Sequence, residues 1–353
     1  MKKIYSISEA ATFLKVSTET LRRWDKEGKF KSVRNPMNNY RVYPEEQLMA
    51  LAEEMQLELT YPRKKLADYN PYFSTFYGKL FNMDAIEFLK SLDDDSIHLI
   101  FADPPYNIKK AQWDTFSSQK EYVDWSMTWI REANRVLKST GSLYICGFSE
   151  ILADIKWAAA PLFKGCKWLI WYYRNKANLG NDWGRSHESI LHFRKSRNFQ
   201  FNIDPIRIPY NQHTLKYPRR TQATTSQYNH NNKKYDWEPN PLGAKPKDVL
   251  EIPTLSNGSW EKYPHTTQKP VELLRKIILS SSREKELVVD PFGGSGTTYA
   301  VAEAYKRKWL GAELEKEYCE IVEKRLSDNE HIQRIATSKD ENEAVKRRKD
   351  LRG

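Results

Sequence analysis

Apolar residues along the chain follow two periods, and the change between them divides it. Over the first ~55 residues the period is helical. Ile7, Ala10, Ala11 and Leu14 share one face behind Ser6-Ile7-Ser8-Glu9, where Ser6 as N-cap and Glu9 as third helical residue form a capping box. Ser17 stands where it would cap a second helix, with Leu21 and Trp24 inward, Thr18, Arg22 and Arg23 outward, and Gly28 as the stop. Two short helices joined by a tight turn, the second presenting adjacent arginines, predict a helix-turn-helix able to enter a DNA major groove. Lys31 to Tyr43 is extended about Asn38-Asn39 and closes on Tyr40-Arg41-Val42-Tyr43, as a β-wing does. Pro44 is expected to open a third helix through Leu48, Leu51 and Met55.

Residues 56–72 lose the period around Tyr61-Pro62-Arg63 and Asn70-Pro71, which predicts a linker. From residue 73 the pattern becomes runs of consecutive apolar residues separated by helical segments. The runs are Ile97 to Ala102, Ser142 to Cys146, Trp168 to Tyr172, Ile190 to Phe193 and Leu287 to Val289. Strands apolar on both faces belong to a parallel sheet covered on both sides, so residues 73–326 are read as a doubly wound, Rossmann-like α/β domain. Residues 197–260 break into Pro, Asn, basic and aromatic residues and are expected to be an irregular insertion. Residues 327–353 are expected to be a charged tail.

Charge then narrows the partner. The 353 residues hold 57 Lys plus Arg against 46 Asp plus Glu, a net +11 that favours a polyanion, nucleic acid first. Cys146, Cys166 and Cys319 form no CxxC pair, so neither a disulfide framework nor a zinc site is expected, and the thiols should be reduced and buried. The seven histidines show no metal spacing, and no metal is expected. No apolar run approaches the ~18 residues of a membrane helix. Ser6, Ser8 and Glu9 interrupt any leader after Met1-Lys2-Lys3, so a cytoplasmic, nucleoid-associated protein without a membrane partner is expected.

Two segments carry candidate chemistry. In Leu99-Ile100-Phe101-Ala102-Asp103-Pro104-Pro105-Tyr106 an apolar strand ends in a carboxylate, two prolines and an aromatic, at the strand end where open parallel sheets bind ligands. Asp103 and the Pro104 carbonyl offer two acceptors, Pro105 stiffens the turn, and Tyr106 offers a stacking face. That set suits a planar ring with an exocyclic amino group, adenine or cytosine. The second segment, Leu287 to Thr298, is a strand, a turn Asp290-Pro291-Phe292-Gly293-Gly294-Ser295-Gly296, and a helix start. Its glycines allow close backbone approach, and Glu313 lies 19 residues beyond Gly294, in reach of ribose hydroxyls. The third glycine of the dinucleotide fingerprint is missing, which disfavours a nicotinamide enzyme.

These motifs, with Asn82-Met83-Asp84, Gly141-Ser142-Leu143-Tyr144, His187 to Phe193 and His265-Thr266-Thr267-Gln268-Lys269-Pro270, resemble the circularly permuted β class of S-adenosylmethionine-dependent DNA amino-methyltransferases. The resemblance implies that Phe292, Gly294 and Gly296, with Asp290 beneath, hold the methionine part of S-adenosyl-L-methionine. It implies that Glu313 takes the ribose, Asp84 the adenine amino group and Lys269 the methionine carboxylate. The simpler readings are an N-capping Asp84, a helix-dipole Glu313 and a solvated Lys269. Thr266 departs from the family, which usually has Pro. Asp103 and Pro104 would localise the lone pair of an amino nitrogen on a flipped base stacked on Tyr106. The Asp form of the motif goes mostly with adenine N6 and leaves cytosine N4 as the alternative. No cysteine follows a proline, which excludes carbon-5 cytosine chemistry.

The insertion, with Arg207, Lys216, Arg219 and Arg220 among its cations, resembles a target-recognition region in position. Ile7 to Ala11, Val16 to Trp24 and Asn39-Tyr40-Arg41 resemble the MerR-like and excisionase-like winged helix-turn-helix family. That resemblance gives DNA-contact roles to Arg22, Arg23, Tyr40 and Arg41. The expectation is a site-specific DNA adenine methyltransferase of restriction-modification type, acting on double-stranded DNA beside a cognate endonuclease, as monomer or homodimer. The competing expectation is a transcription regulator with an accessory methyltransferase-like domain.

Overall fold

The fold, from a computed structural model, is described for residues 4–36, 38–54, 64–107, 115–174, 181, 183–222 and 235–338. The chain divides into two compact units, Met1–Lys64 and Lys65–Gly353.

In the first unit β1 (Ile4–Ser6) leads into α1 (Ile7–Phe13), then α2 (Thr18–Glu27), β2 (Val33–Arg34), β3 (Arg41–Pro44) and α3 (Glu45–Glu54). Both expected caps form: Ser6 Oγ accepts from Glu9 N at 3.3 Å, Glu9 Oε2 from Ser6 N at 2.7 Å, and Ser17 Oγ from Thr20 N at 3.0 Å. Gly28 ends α2 in the left-handed region at φ 74°. Pro44 ends β3, so α3 begins one residue later than expected. The wing strand β3 pairs antiparallel with β2 and also with β1, a three-residue strand too short to leave a periodic signal. Ala10, Leu14, Leu21, Phe30, Tyr43 and Leu48 form the unit's own core.

The second unit begins earlier than expected. Leu66 and Tyr69 already pack on its core, so the linker expected over 56–72 ends before Leu66; residues 55–63 lie outside the described residues. There follow β4 (Phe73–Ser74), β5 (Gly78–Asn82), α4 (Ala85–Ser91), β6 (Ile97–Ala102), α5 (Gln119–Val136), β7 (Leu137–Gly147), α6 (Ser149–Ala159), β8 (Gly165–Tyr172) and β9 (His187–Arg194). After the insertion come α8 (Val271–Ser281), β13 (Leu287–Asp290), α9 (Thr297–Ala304), β14 (Lys308–Glu313), α10 (Lys316–Ser327) and α11 (Asn329–Thr337).

The insertion is more regular than expected. It holds α7 (Gln212–Lys216), a hairpin of β10 (Arg220–Gln222) with β11 (Tyr235–Trp237), and β12 (Val249–Glu251), which extends the main sheet beside β8. The expected tail is also corrected: α11 packs as a helix with His331 and Ile335 buried, and residues 339–353 lie outside the described residues.

The nine strands run β12-β8-β9-β7-β6-β13-β14-β5-β4. The sheet is mostly parallel, with β9 antiparallel to both its neighbours and β4 antiparallel to β5. Helices α4, α5 and α6 cover one face and α8, α9, α10 and α11 the other. The chain leaves β6 through α5 toward β7, and leaves β13 through α9 toward β14, in the opposite direction. Strand order therefore reverses between β6 and β13, and a crevice opens at their carboxyl ends.

Candidate active site

Asp103 follows the last residue of β6 at that reversal point, and Asp290 is the last residue of β13. The Pro105 carbonyl accepts from Tyr122 Oη at 2.6 Å, which pins the Asp103-Pro104-Pro105-Tyr106 turn to α5. Asp103 Oδ1 accepts from Tyr106 Oη at 2.6 Å, and Oδ2 from Lys269 Nζ at 2.6 Å. Glu188, near the start of β9, places Oε2 at 3.2 Å from Tyr106 Oη and 3.5 Å from Lys269 Nζ. Lys269 is 6% exposed. Burial pushes its ammonium pKa down, but the carboxylates of Asp103 and Glu188 outweigh burial and hold it above the usual lysine range. The Tyr106 ring lies 5.0 Å from Phe148, edge to face, and Arg185 covers Phe148 at 3.7 Å.

On the other side of the crevice the glycine turn is fixed from below. Asp290 is fully buried; its Oδ1 accepts from Phe292 N at 3.0 Å and its Oδ2 from Thr298 Oγ1 at 2.5 Å, while burial pushes its carboxyl pKa well above the usual range. Gly294 (φ 49°) and Gly296 (φ 72°) are left-handed, which glycine adopts without a Cβ penalty. A Cβ on Gly294 would lie 3.2 Å from His265 Nε2, so a side chain there would fill the cradle. Glu313, at the end of β14, closes the turn: Oε2 accepts from Gly294 N at 2.7 Å and Oε1 from Glu315 N at 2.8 Å. Burial raises its pKa, and backbone donors from Glu315, Gly294 and Leu314 oppose that rise. Arg325, fully buried, donates to Ser295 O at 3.1 Å and Thr297 Oγ1 at 2.8 Å, and Thr297 Oγ1 reaches Lys269 O at 3.1 Å. The two halves of the crevice are thereby joined.

The structure brings Asp103, Pro104, Pro105, Tyr106 and Lys269 together, and gathers Asp290, Phe292, Gly294, Gly296 and Glu313 opposite. Asp84 caps α4, its Oδ1 accepting from Ile86 N and Glu87 N at 2.8 and 3.1 Å. Lys269 is not solvated: it is buried, with its ammonium paired to Asp103. Tyr106 differs too, because its hydroxyl is engaged by Asp103. Phe292 packs on Trp129, rings 5.3 Å apart. Arg41 is tied to Asp25 at 2.6 Å, and Arg207 to Asp204 at 2.7 Å and the Gly243 carbonyl at 2.8 Å. Arg22, Arg23, Tyr40, Lys216 and Arg219 are exposed, with Arg22 paired to Glu19 and Arg219 to Glu238. The side chain of Arg220 lies outside the described residues. Sequence reasoning missed Glu188, His265 and Arg325 as site residues. The available signal for Glu188 was a carboxylate just before the apolar pair Ile190-Leu191, at the site end of its strand.

Among the described residues no His, Cys, Asp and Glu cluster could hold a metal, and no helix is long and apolar enough to cross a membrane. Fold and site define an α/β protein whose glycine turn after β13 and acidic Asp103 turn after β6 stand on adjacent strands at the reversal of strand order, where open sheets of this kind bind ligands. Residues 97–324 match the N6/N4 family model described as DNA methylase, and the chain belongs to this DNA methylase family. Residues 6–43 match the model of the MerR family regulatory proteins. The chain is 33% identical over 255 residues to the type II methyltransferase M1.MboII of Moraxella bovis, covering 68% of this chain and 93% of that one. It is 35% identical over 272 residues to the DNA adenine methyltransferase YhdJ of Escherichia coli, covering 75% and 86%. The solved structure of the cytosine-N4-specific PvuII DNA methyltransferase shares the fold with a TM-score of 0.55, at 21% identity, covering 76% of this chain and 96% of that one.

Proposed function

We propose that this DNA methyltransferase acts on adenine N6 in double-stranded DNA, at a specific sequence and by base flipping, as the modification partner of a restriction endonuclease. The observation that carries the reading is the Asp103-Pro104-Pro105-Tyr106 turn at the carboxyl end of β6, next to the strand whose carboxyl end carries the glycine turn. Asp103 and Pro104 accept the two amino hydrogens, Pro105 stiffens the turn, and the Tyr106 ring receives the extruded base. The kinship with YhdJ, named an adenine methyltransferase, supports adenine.

The left-handed Gly294 and Gly296 and the acceptor Glu313 fit a nucleoside cofactor, S-adenosyl-L-methionine, which supplies an electrophilic methyl group. Glu313 holds the ribose hydroxyls, Asp84 the adenine amino group, and Phe292, Gly294 and Gly296 the methionine part, with Asp290 bracing the turn. Arg22, Arg23 and Tyr40 of the first unit and Lys216, Arg219 and Arg220 of the insertion contact DNA. A second reading, cytosine N4, is kept because Asp103 and Pro104 serve either amino group equally.

Sequencing the methylated bases in DNA from cells expressing the protein tests the proposal. N6-methyladenine at one short sequence is expected. N4-methylcytosine, or no modified base, overturns it.

A further inference from the structure

Both oxygens of Asp103 are occupied, one by Tyr106 and one by Lys269. A carboxylate so engaged cannot take a hydrogen from an incoming amino group in the direction of either donor until that donor moves. Lys269 is buried, and an ammonium that left Asp103 would stand uncompensated in a low-dielectric site unless another carboxylate received it. The structure supplies a second acceptor: Glu188 Oε2 lies 3.5 Å from Lys269 Nζ, within about 1 Å of a charge-assisted bond length. The same oxygen lies 3.2 Å from Tyr106 Oη, so both donors on Asp103 have one alternative acceptor in common. Glu188 is held on a strand paired on both sides, where its register with Trp171 fixes it at the site edge. The side chains of Asp103, Glu188 and Lys269 are 18%, 13% and 6% exposed, too buried for water to replace a lost partner.

We propose that Glu188 is a positioning residue, which receives the Lys269 ammonium when Asp103 releases it to take the target amino group. The proposal rests on the reading of Asp103 as amino acceptor. Two carboxylates and one lysine carry one net negative charge, so after the hand-over each buried charge still has a partner and Asp103 keeps its charge for the amino hydrogens. Glu188 acts through Lys269 and does not touch the base. Without its charge, Lys269 stays on Asp103 and competes with the amino hydrogens for its negative charge.

The test needs no chemistry and no cofactor. Once the methylated position is mapped, the protein is titrated with duplexes carrying adenine or purine there; purine lacks the exocyclic amino group. The ratio of the two affinities isolates the amino contact, and comparing it between variants cancels the cost of extruding each base. Glu188→Gln should lower the adenine preference about five- to tenfold, part of one charge-assisted hydrogen bond. Glu188→Asp should restore most of it, and calorimetric affinity for S-adenosylmethionine should be unchanged in both variants. An undiminished preference in Glu188→Gln, or a matching loss of cofactor affinity, overturns the proposal. Asp103→Asn separates the underlying reading: a preference unchanged in that variant overturns the amino-acceptor role of Asp103 itself.

Discussion

Glu313→Gln separates two functions of one side chain. Its two oxygens already accept from Gly294 N and Glu315 N. A carboxylate offers about four acceptor sites, so about two remain for ribose hydroxyls. Glutamine keeps the shape but turns one oxygen into an amide N–H2 group that faces a backbone N–H. One buried donor is then left without an acceptor, at about 1–3 kcal/mol. That loss is common to free and bound protein, so it appears as a lower melting temperature and not as weaker binding. The bound protein loses in addition a charge-assisted bond to the ribose, about 1.5–3 kcal/mol, or roughly 10- to 150-fold in Kd. Calorimetric titration with S-adenosylmethionine and with S-adenosylhomocysteine reads this second loss. Both ligands carry the ribose, so both should weaken alike. An unchanged Kd with a lowered melting temperature would show that Glu313 only braces the turn, and weakening for the charged ligand alone would show that it reads the sulfonium.

Asp103→Asn should abolish methyl transfer while leaving cofactor affinity within about twofold, since the cofactor turn lies across the crevice; a parallel loss of affinity would refute the division of roles. Tyr106→Phe should stay within about tenfold of the parent rate and Tyr106→Ala should lose a further ~1–3 kcal/mol of stacking, and equal losses would assign the effect to the hydroxyl bonded to Asp103. Deleting residues 1–64 removes a unit with its own core, so the remainder should stay folded and bind cofactor. Its DNA affinity should fall and its salt slope flatten by about 0.9 for each phosphate contact removed. An unchanged slope, with loss of binding to a separate promoter, would mark the first unit as a regulator. Burial and the nearby Arg325 cation lower His331 to about 4. The folded chain thus holds that proton less tightly than the unfolded one, and the stability His331 contributes is lost as pH falls from ~6.5 toward 4, on the order of 2 kcal/mol. The stability gap between parent and His331→Gln, from urea unfolding, should narrow between pH 7 and pH 4.5; a constant gap would contradict the assignment.

The elements that could be read from sequence are those whose signal is local. A capping box, a serine cap and a stopping glycine each act within a few residues, and they delimit α1 and α2 as expected. The runs at β6 and β13 are apolar on both faces because helices cover both, so periodicity alone placed them. What escaped has a non-local cause. The three residues of β12 become a strand only because the edge of β8 is open to them. Helix α11 looked like a charged tail because its buried stripe includes His331, a residue type that counts as polar until an arginine N–H meets it at 3.2 Å.

The same division runs through the site. Asp290 and Glu313 each end a strand of the parallel sheet and Asp103 directly follows one, so an acidic residue after an apolar run marked these positions. The state of Lys269 was not open to such reasoning, because its partner Asp103 lies 166 residues away and Glu188 arrives on a third strand. A lysine in sequence carries the prior of a solvated side chain, since burying an ammonium is unfavourable unless carboxylates meet it. Folding reverses that prior here by converging two carboxylates on one ammonium. The surplus negative charge this leaves at the carboxyl end of β6 answers to the partial positive charge of amino hydrogens, which ties the buried lysine to the same chemistry as the Asp103 motif.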